Sequence, residues 1–216
     1  MLYDLAKRTI DILAALVMGV VFLPVWIVVP ILIKLDSRGP IFYRPDRVGK
    51  DGSTFRMFKF RSMKMFEIKG KAVHAVEFWK ANPALYEKYK NAGWKLELDE
   101  DPRITKLGKI LRQTSIDEMP QVLNILFGDM SLVGPRAYVK PELEDAVKRY
   151  GKKIEPLIKE SLSVKPGLTG TWQVSGRNTI PWDQRVAIDA DYAKRHSLLY
   201  DIYVILKTPF AMISKW

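Results

Sequence analysis

The sequence predicts an α+β protein, predominantly helical with a small β-hairpin, whose N-terminal segment lies in a membrane. Three observations predict it. Ile12 to Ile33 is a run without charge, two β-prone runs flank Gly49-Lys50-Asp51-Gly52, and apolar residues recur at three- and four-residue spacing from Lys106 onward. At 216 residues the chain fits one domain, with room for an appended segment.

The apolar run is 22 residues long, above the ~20 that a helix needs to cross the hydrocarbon layer. It is too long for the apolar part of a cleaved signal peptide, and no small-x-small site follows it. Basic residues flank both ends: Lys7 and Arg8 before, then Lys34, Arg38, Arg44 and Arg47 after. Such flanks favour the cytoplasmic side. Pro24 falls mid-block and Pro30 follows, where a missing backbone donor bends a helix. A helix that enters, kinks at Pro24 and leaves on the same face puts both basic ends in the cytoplasm; a single-pass anchor does so for one. These residues leave both forms open.

Ile41 to Val48 and Thr54 to Phe60 form the expected hairpin, with Asp-Gly in its turn. Phe55, Met57 and Phe60 do not share one parity, so its buried face stays undefined. Lys59 and Arg61 do share one, and two cations on one strand face are ordinarily solvated. About Phe66 to Gly93 reads as helix broken near Asn82-Pro83, a surface helical insert spanning roughly 66–98. Lys106 to Phe127 is an amphipathic helical region interrupted by Pro120, as two helices or one kinked helix. Glu142 to Ser163 is helical in pattern, Lys165 to Asn178 reads as a glycine-rich loop, and the remainder returns to helix. Leu198 to Trp216 suits a helix at the lipid–water interface, with a core helix as the rival.

A formal charge of +11 implies anionic company: nucleic acid, nucleotide phosphates or an acidic membrane surface. With no cysteine, disulfides, thiolate zinc sites and a Cys nucleophile are excluded. His74 and His196 form no metal-binding pair and read as surface or helix-packing residues. A metal would be a hard ion held by carboxylate and phosphate oxygens, which points to Mg2+.

The segment richest in chemistry runs from Arg112 through Asp117-Glu118 to Gly134-Pro135-Arg136. Adjacent carboxylates on a helix diverge by about 100°, so they cannot share a proton. They can divide labour, one attacking phosphorus while the other holds Mg2+. A carboxylate approaching a phosphate needs cations around it, and Arg112 and Arg136 supply them. An Asp-Glu pair alone is more often a solvated surface feature.

Thr114-Ser115-Ile116-Asp117-Glu118-Met119-Pro120-Gln121, Asn124, Gly128 to Arg136, Lys165 to Gly170, Trp172-Gln173-Val174 and Gly176-Arg177-Asn178 together resemble the bacterial sugar transferases that are monotopic phosphoglycosyl transferases. Lys59 to Met63, Asp101 to Thr105 and Lys7-Arg8-x-Ile10-Asp11 also match, so the resemblance covers nearly the whole chain. It implies attack by Asp117 on the β-phosphate of a UDP-sugar, release of UMP, and transfer of the phosphosugar from the carboxylate to undecaprenyl phosphate. It makes Glu118 the Mg2+ ligand and Lys59, Arg112, Arg136 and Arg177 phosphate contacts. It implies a re-entrant membrane helix over 1–38 kinked at Pro24, and a catalytic part over 39–216 on the cytoplasmic face of the bacterial inner membrane, among membrane lipids. Homo-oligomer formation is allowed. Ala137 stands where many relatives carry Pro. The long insert is more like the forms that transfer galactose- or glucose-1-phosphate, the alternative being an N-acetylated amino or diacetamido sugar.

Two rivals differ in class. Asp189-Ala190-Asp191 matches the Asp-x-Asp pattern of metal-dependent glycosyltransferases, but it sits on a helical stretch without βα alternation, where a solvated helix face is the default. A membrane-anchored basic binding protein fits the charge, yet no nucleic-acid motif is present and the cations are dispersed. No phosphate-binding P-loop or dinucleotide glycine fingerprint occurs.

Overall fold

A computed structural model describes residues 2–68, 71–73, 82–92, 96, 98–176 and 180–213. The elements are α1 (Leu2–Val21), α2 (Leu23–Asp36), β1 (Phe42–Tyr43), β2 (Asp46–Val48), β3 (Thr54–Arg56), β4 (Lys59–Phe60), β5 (Phe66–Ile68), β6 (Lys71–Val73) and α3 (Pro83–Asn91). Then come α4 (Lys106–Gln113), α5 (Gln121–Phe127), β7 (Ser131–Val133), α6 (Lys140–Tyr150), α7 (Glu155–Ser161), β8 (Gly167–Thr169), α8 (Thr171–Ser175), α9 (Trp182–Arg195) and α10 (Leu198–Ile213). The α+β expectation holds: helices dominate and the strands form four two-stranded pairs. The chain divides into two compact units, the first Met1–Val21, Arg44–Phe58 and Pro120–Trp216, the second Phe22–Tyr43 and Lys59–Met119.

The apolar run is two helices, α1 and α2, bent by 63° at their junction, and no single helix among the described residues is long and apolar enough to cross a membrane. The break falls at Phe22, two residues before Pro24, because Pro24 has no N–H for the carbonyl of Val20 and its ring crowds that turn. At the second position of a new helix the missing donor costs nothing. Pro30 is absorbed inside α2.

In the second unit, β1 and β4 pair antiparallel, Phe42 opposite Phe60 and Tyr43 opposite Lys59. Phe60 joins Val29 and Ile33 of α2 and Leu111 of α4 in a core flanked by Trp26, Ile116 and Met119. α2 is apolar all round, so its other side stays bare: Ile27 and Ile31 are each 57% exposed. Arg61 is buried, not solvated as its strand position suggested, and donates to the carbonyls of Ser37 and Arg38, each at 2.6 Å, closing off the end of α2. The expected helical insert begins instead as the antiparallel pair β5–β6, Phe66 opposite Val73, with helix only over α3. Phe66-Glu67-Ile68-Lys69 alternates apolar and polar residues ahead of Gly70, a period-two signal that outweighs the local helix formers. His74 and much of the remaining insert lie outside the described residues.

In the first unit, β2 and β3 pair antiparallel across the turn Lys50–Gly52. The expected hairpin is therefore two short ladders, not one. The interruption at Met57-Phe58 shifts the side-chain parity, which lets Phe55, Met57 and Phe60 all be buried. The Lys165–Asn178 segment, expected as loop, contains β8, parallel to β7, and the short α8. Gly134 and Gly167 let these backbones touch: a Cβ on Gly167 would lie 2.1 Å from the Gly134 nitrogen. Hydrophobic cores form around Tyr138, Ile158, Trp182 and Val186, and around Val133, Tyr192 and Val204. α10 buries Val204 completely and exposes Leu199, Leu206 and Phe210, so it serves the core along one face and bares the other.

The motif Lys7-Arg8-x-Ile10-Asp11 pins α1 to this unit. Asp11 accepts from the Ser131 hydroxyl at 3.0 Å and the Leu132 N–H at 2.9 Å. Arg8 donates to the carbonyls of Ile125 and Leu126 at 2.5 and 2.9 Å, satisfying the open end of α5. Lys7 bonds the Val133 carbonyl and pairs with Asp201 at 2.7 Å.

Candidate active site

The site is assembled in the second unit from α4, the turn after it and β4. Thr105 caps α4, its hydroxyl accepting from the Gly108 N–H at 2.8 Å. α4 ends at Thr114, and Ser115 adopts a left-handed conformation, φ 57°, unusual for a residue with a side chain. That reversal makes Ile116–Glu118 a separate 3-10 turn instead of a continuation of α4. The region is thus two helices, and the first break lies at Ser115, ahead of the Pro120 that the sequence pointed to.

Three residues per turn set the adjacent side chains roughly 120° apart. Asp117 goes inward and is only 6% exposed, whereas the Glu118 side chain is 40% exposed. Lys59 from β4 meets Glu118, Nζ to Oε1, at 2.6 Å. Burial pushes the Asp117 carboxyl up from 3.8 to about 6, Lys59 and Arg112 drawing it down and Glu118 pushing it up. Lys59, Arg112, Asp117 and Glu118 thus share one electrostatic environment. The pair Lys59–Arg61, expected to be solvated, is neither: both point into protein.

Arg112 is aimed by a contact that no sequence pattern announced. Its Nε donates to the buried Ser62 hydroxyl at 2.8 Å. Ser62 can reach it because α4 has a glycine where the chains meet: a Cβ on Gly108 would lie 1.9 Å from the Ser62 carbonyl oxygen. Ser62 lies within the matching Lys59 to Met63 motif, which was the only signal.

Pro24 is the second residue of α2, and Arg177 lies outside the described residues. Arg136 belongs to the first unit, its guanidinium carbon 5.4 Å from the Trp172 ring centre. Its backbone N–H donates at 2.9 Å to Asp189, which also accepts from the Tyr138 hydroxyl at 2.7 Å. Asp189 is fully buried, not on a solvated helix face, and burial raises its carboxyl to about 7. Asp191 points away from it and pairs with Arg195. The two side chains of the Asp-x-Asp pattern therefore diverge and cannot hold one ion. Asn124, fully buried, accepts from the Phe58 N–H and donates to the Arg56 carbonyl, fastening the end of β3 to α5.

Among the described residues no three of His, Asp and Glu gather as a metal cluster. Magnesium does not require one, since it is commonly held by one or two carboxylates with substrate phosphate and water. Glu118, with an accessible oxygen-donor carboxylate beside a buried one, fits that kind of site.

The chain is 40% identical over 212 residues to the exopolysaccharide production protein ExoY of Sinorhizobium fredii, covering 98% of this chain and 87% of that protein. It is 40% identical over 211 residues to the undecaprenyl-phosphate galactose phosphotransferase of Salmonella typhimurium. It is 34% identical over 211 residues to the UDP-glucose:undecaprenyl-phosphate glucose-1-phosphate transferase of Escherichia coli. These two alignments cover 97% and 95% of this chain and 40% of each relative. The bacterial sugar transferase family matches residues 2–215, and with that span, the Asp-Glu turn and its cations in place, the chain belongs to the bacterial sugar transferases.

Proposed function

We propose that this protein transfers a hexose 1-phosphate from a UDP-sugar to undecaprenyl phosphate by way of a covalent phosphosugar on Asp117. The observation that carries the mechanism is the division between two neighbouring carboxylates. Asp117 is buried beside Lys59 and Arg112, and Glu118 faces outward on the next step of a tight turn. A desolvated carboxylate close to cations suits attack on a phosphate that would otherwise repel it. An Asp117 oxygen bonds the β-phosphorus, the bond to the departing UMP oxygen breaks, and UMP leaves with the electron pair. An oxygen of the carrier phosphate then attacks the same phosphorus, breaking its bond to Asp117 and restoring the carboxylate.

Lys59 and Arg112 hold phosphate oxygens in this scheme. Arg136 and Arg177 are phosphate contacts on the family resemblance alone. Glu118 would hold Mg2+, which when bound offsets phosphate charge. The bent α1–α2 pair enters the bilayer as a re-entrant element from the cytoplasmic face, with bare side chains such as Ile27 and Ile31 in lipid. The choice of an unacetylated hexose rests on the length of the 66–98 insert, since the relatives include galactose and glucose enzymes and, at 36% identity, an N-acetylgalactosaminephosphotransferase of Aeromonas hydrophila.

The test is incubation of purified protein with a panel of UDP-sugars and no lipid acceptor. Intact-protein mass spectrometry should find one phosphohexose adduct, absent in Asp117→Asn, with a matching burst of UMP. UMP release that persists in Asp117→Asn defeats the covalent route, and turnover confined to N-acetylated donors defeats the hexose assignment.

A further inference from the structure

Outside the candidate site, the first unit gathers a second set of cations that nothing in the reaction uses. Its floor is Gly128, just after α5, at φ +90°. The position of a Cβ on Gly128 lies 3.6 Å from Lys165 Nζ and 3.7 Å from Arg8 Nη2. The Lys50–Gly52 turn is fixed to the same region, the Asp51 N–H donating at 2.7 Å to the carbonyl of Leu162. Lys165 is half-buried and, among the described residues, makes no hydrogen bond or ion pair. Burial, then Arg8 and Lys50, lower its amine below the ordinary lysine range, against Asp11 and Asp129. Both carboxylates are engaged, Asp11 with Ser131 and Leu132, Asp129 with Asn124. Arg8 uses two of its five N–H groups on the α5 carbonyls. Arg8 and Lys165 therefore lie together, with Lys50 on the adjoining turn, and against the two carboxylates these three cations leave one positive charge in excess, which an anion would balance.

The surroundings indicate where that anion comes from. Arg8 lies on α1 four residues ahead of Ile12, where the charge-free run begins. Phe127, next to Gly128, is 69% exposed, and Leu5 on α1 is 68% exposed. Bare apolar side chains beside a cation cluster, at the end of a membrane-inserted helix, match the depth of lipid phosphates.

We propose that Lys165, Arg8 and the exposed Lys50 of the adjoining turn bind the phosphate of an anionic lipid headgroup. The inference rests on the membrane reading of α1 and α2 given above. The test uses the full chain in a nonionic detergent, titrated with dioleoylphosphatidylglycerol, with dioleoylphosphatidylcholine or with inorganic phosphate while thermal unfolding is followed. Phosphatidylglycerol should raise the unfolding temperature saturably and more than either other addition. Its apparent affinity should fall about fivefold in Lys50→Gln and again in Lys50→Gln/Lys165→Gln. Lys50 is exposed, so the single variant keeps the test sound if the double variant folds poorly. Unchanged affinity in Lys50→Gln and the double variant overturns the site, and an equal response to inorganic phosphate overturns its assignment to lipid. Flotation of wild type with neutral phosphatidylcholine vesicles separates the two readings. Flotation with unchanged variant affinity removes only the headgroup site; failure to float removes the membrane reading and the site with it.

Discussion

Asp117→Asn should abolish UMP release and at the same time make the protein harder to unfold at neutral pH. The Asp117 carboxyl is raised from 3.8 to about 6, chiefly by burial, so its ionised form is disfavoured in the fold by roughly 3 kcal/mol. The sign follows from proton linkage. The folded state holds this proton more tightly than the unfolded chain does. The group's contribution to stability is therefore complete below the unfolded value near 4, and is lost as pH rises through about 6. Asn keeps the shape and carries no charge, so the variant escapes that loss. At a pH of about 7.5, without Mg2+, it should be the more stable by up to roughly 3 kcal/mol, or some 6–12 °C for a chain of this size. Thermal unfolding of both proteins in one detergent with a chelator, across the range from about pH 4 to 8, measures the gap. It should be near zero at the acid end and open through about pH 6. A variant no more stable than wild type at neutral pH, or a gap that widens toward acid, refutes the claim that Asp117 is held against its own burial.

The rate of UMP release should fall as pH drops through about 6, where Asp117 takes up its proton, and Lys59→Gln should move that acid limb upward by removing a cation that holds it down; pH–rate profiles decide. Ser62→Ala should free Arg112 and lower kcat/KM about tenfold, the effect of one charge-assisted hydrogen bond. Ser62→Thr should restore most of it, and an equal loss in both variants would point to packing alone. Ser115→Gly should raise stability by about 1 kcal/mol by relieving the left-handed backbone, and Ser115→Val should lower it, read by denaturant unfolding. Asp189→Leu should cost about 2–4 kcal/mol because the Tyr138 hydroxyl and Arg136 N–H lose their acceptor. Asp189→Asn should cost much less, and calorimetry distinguishes the two.

Much of the fold could be read from periodicity because its signal is local. The uncharged run, the Asp-Gly turn and the amphipathic spacing of α4 and α5 each report on a few neighbouring residues. What escaped depends on partners distant in sequence. Phe55 and Phe60 could not be assigned one face because the ladder breaks between them, a break visible only once β1 and β4 pair. Lys165 to Asn178 read as loop because its glycines signal turns, whereas Gly167 is there so that β8 can lie against Gly134. Asp189 read as a surface charge because nothing near it in sequence shows the two donors that satisfy it. The Asp-Glu pair was legible as chemistry, but the inward turn of Asp117 rests on the left-handed Ser115, which no pattern predicts.

The basic residues flanking the apolar run have a second role that bears on the topology argument. Lys7 is paired with Asp201, Arg8 closes the end of α5, and Lys34 donates to the Gly39 carbonyl at 2.8 Å. Asp201 balances the charge of Lys7, so Lys7 counts for little as a free cation steering insertion, whereas Arg8 and Lys34 bond only neutral carbonyls and keep their charge. The stronger constraint is mechanical. Val29 and Ile33 of α2 share a core with Phe60 and Leu111, the residues next to Lys59 and Arg112, and Ile116 beside Asp117 packs on the same cluster. α2 is therefore a wall of the scaffold that holds the carboxylate and its cations, not a tether for a separate soluble domain. A sequence reading that divides the chain at the end of the apolar run cuts through this core. If Asp117 is the nucleophile and α2 lies in lipid, as proposed above, this shared core sets the depth of the carboxylate through side-chain contacts alone.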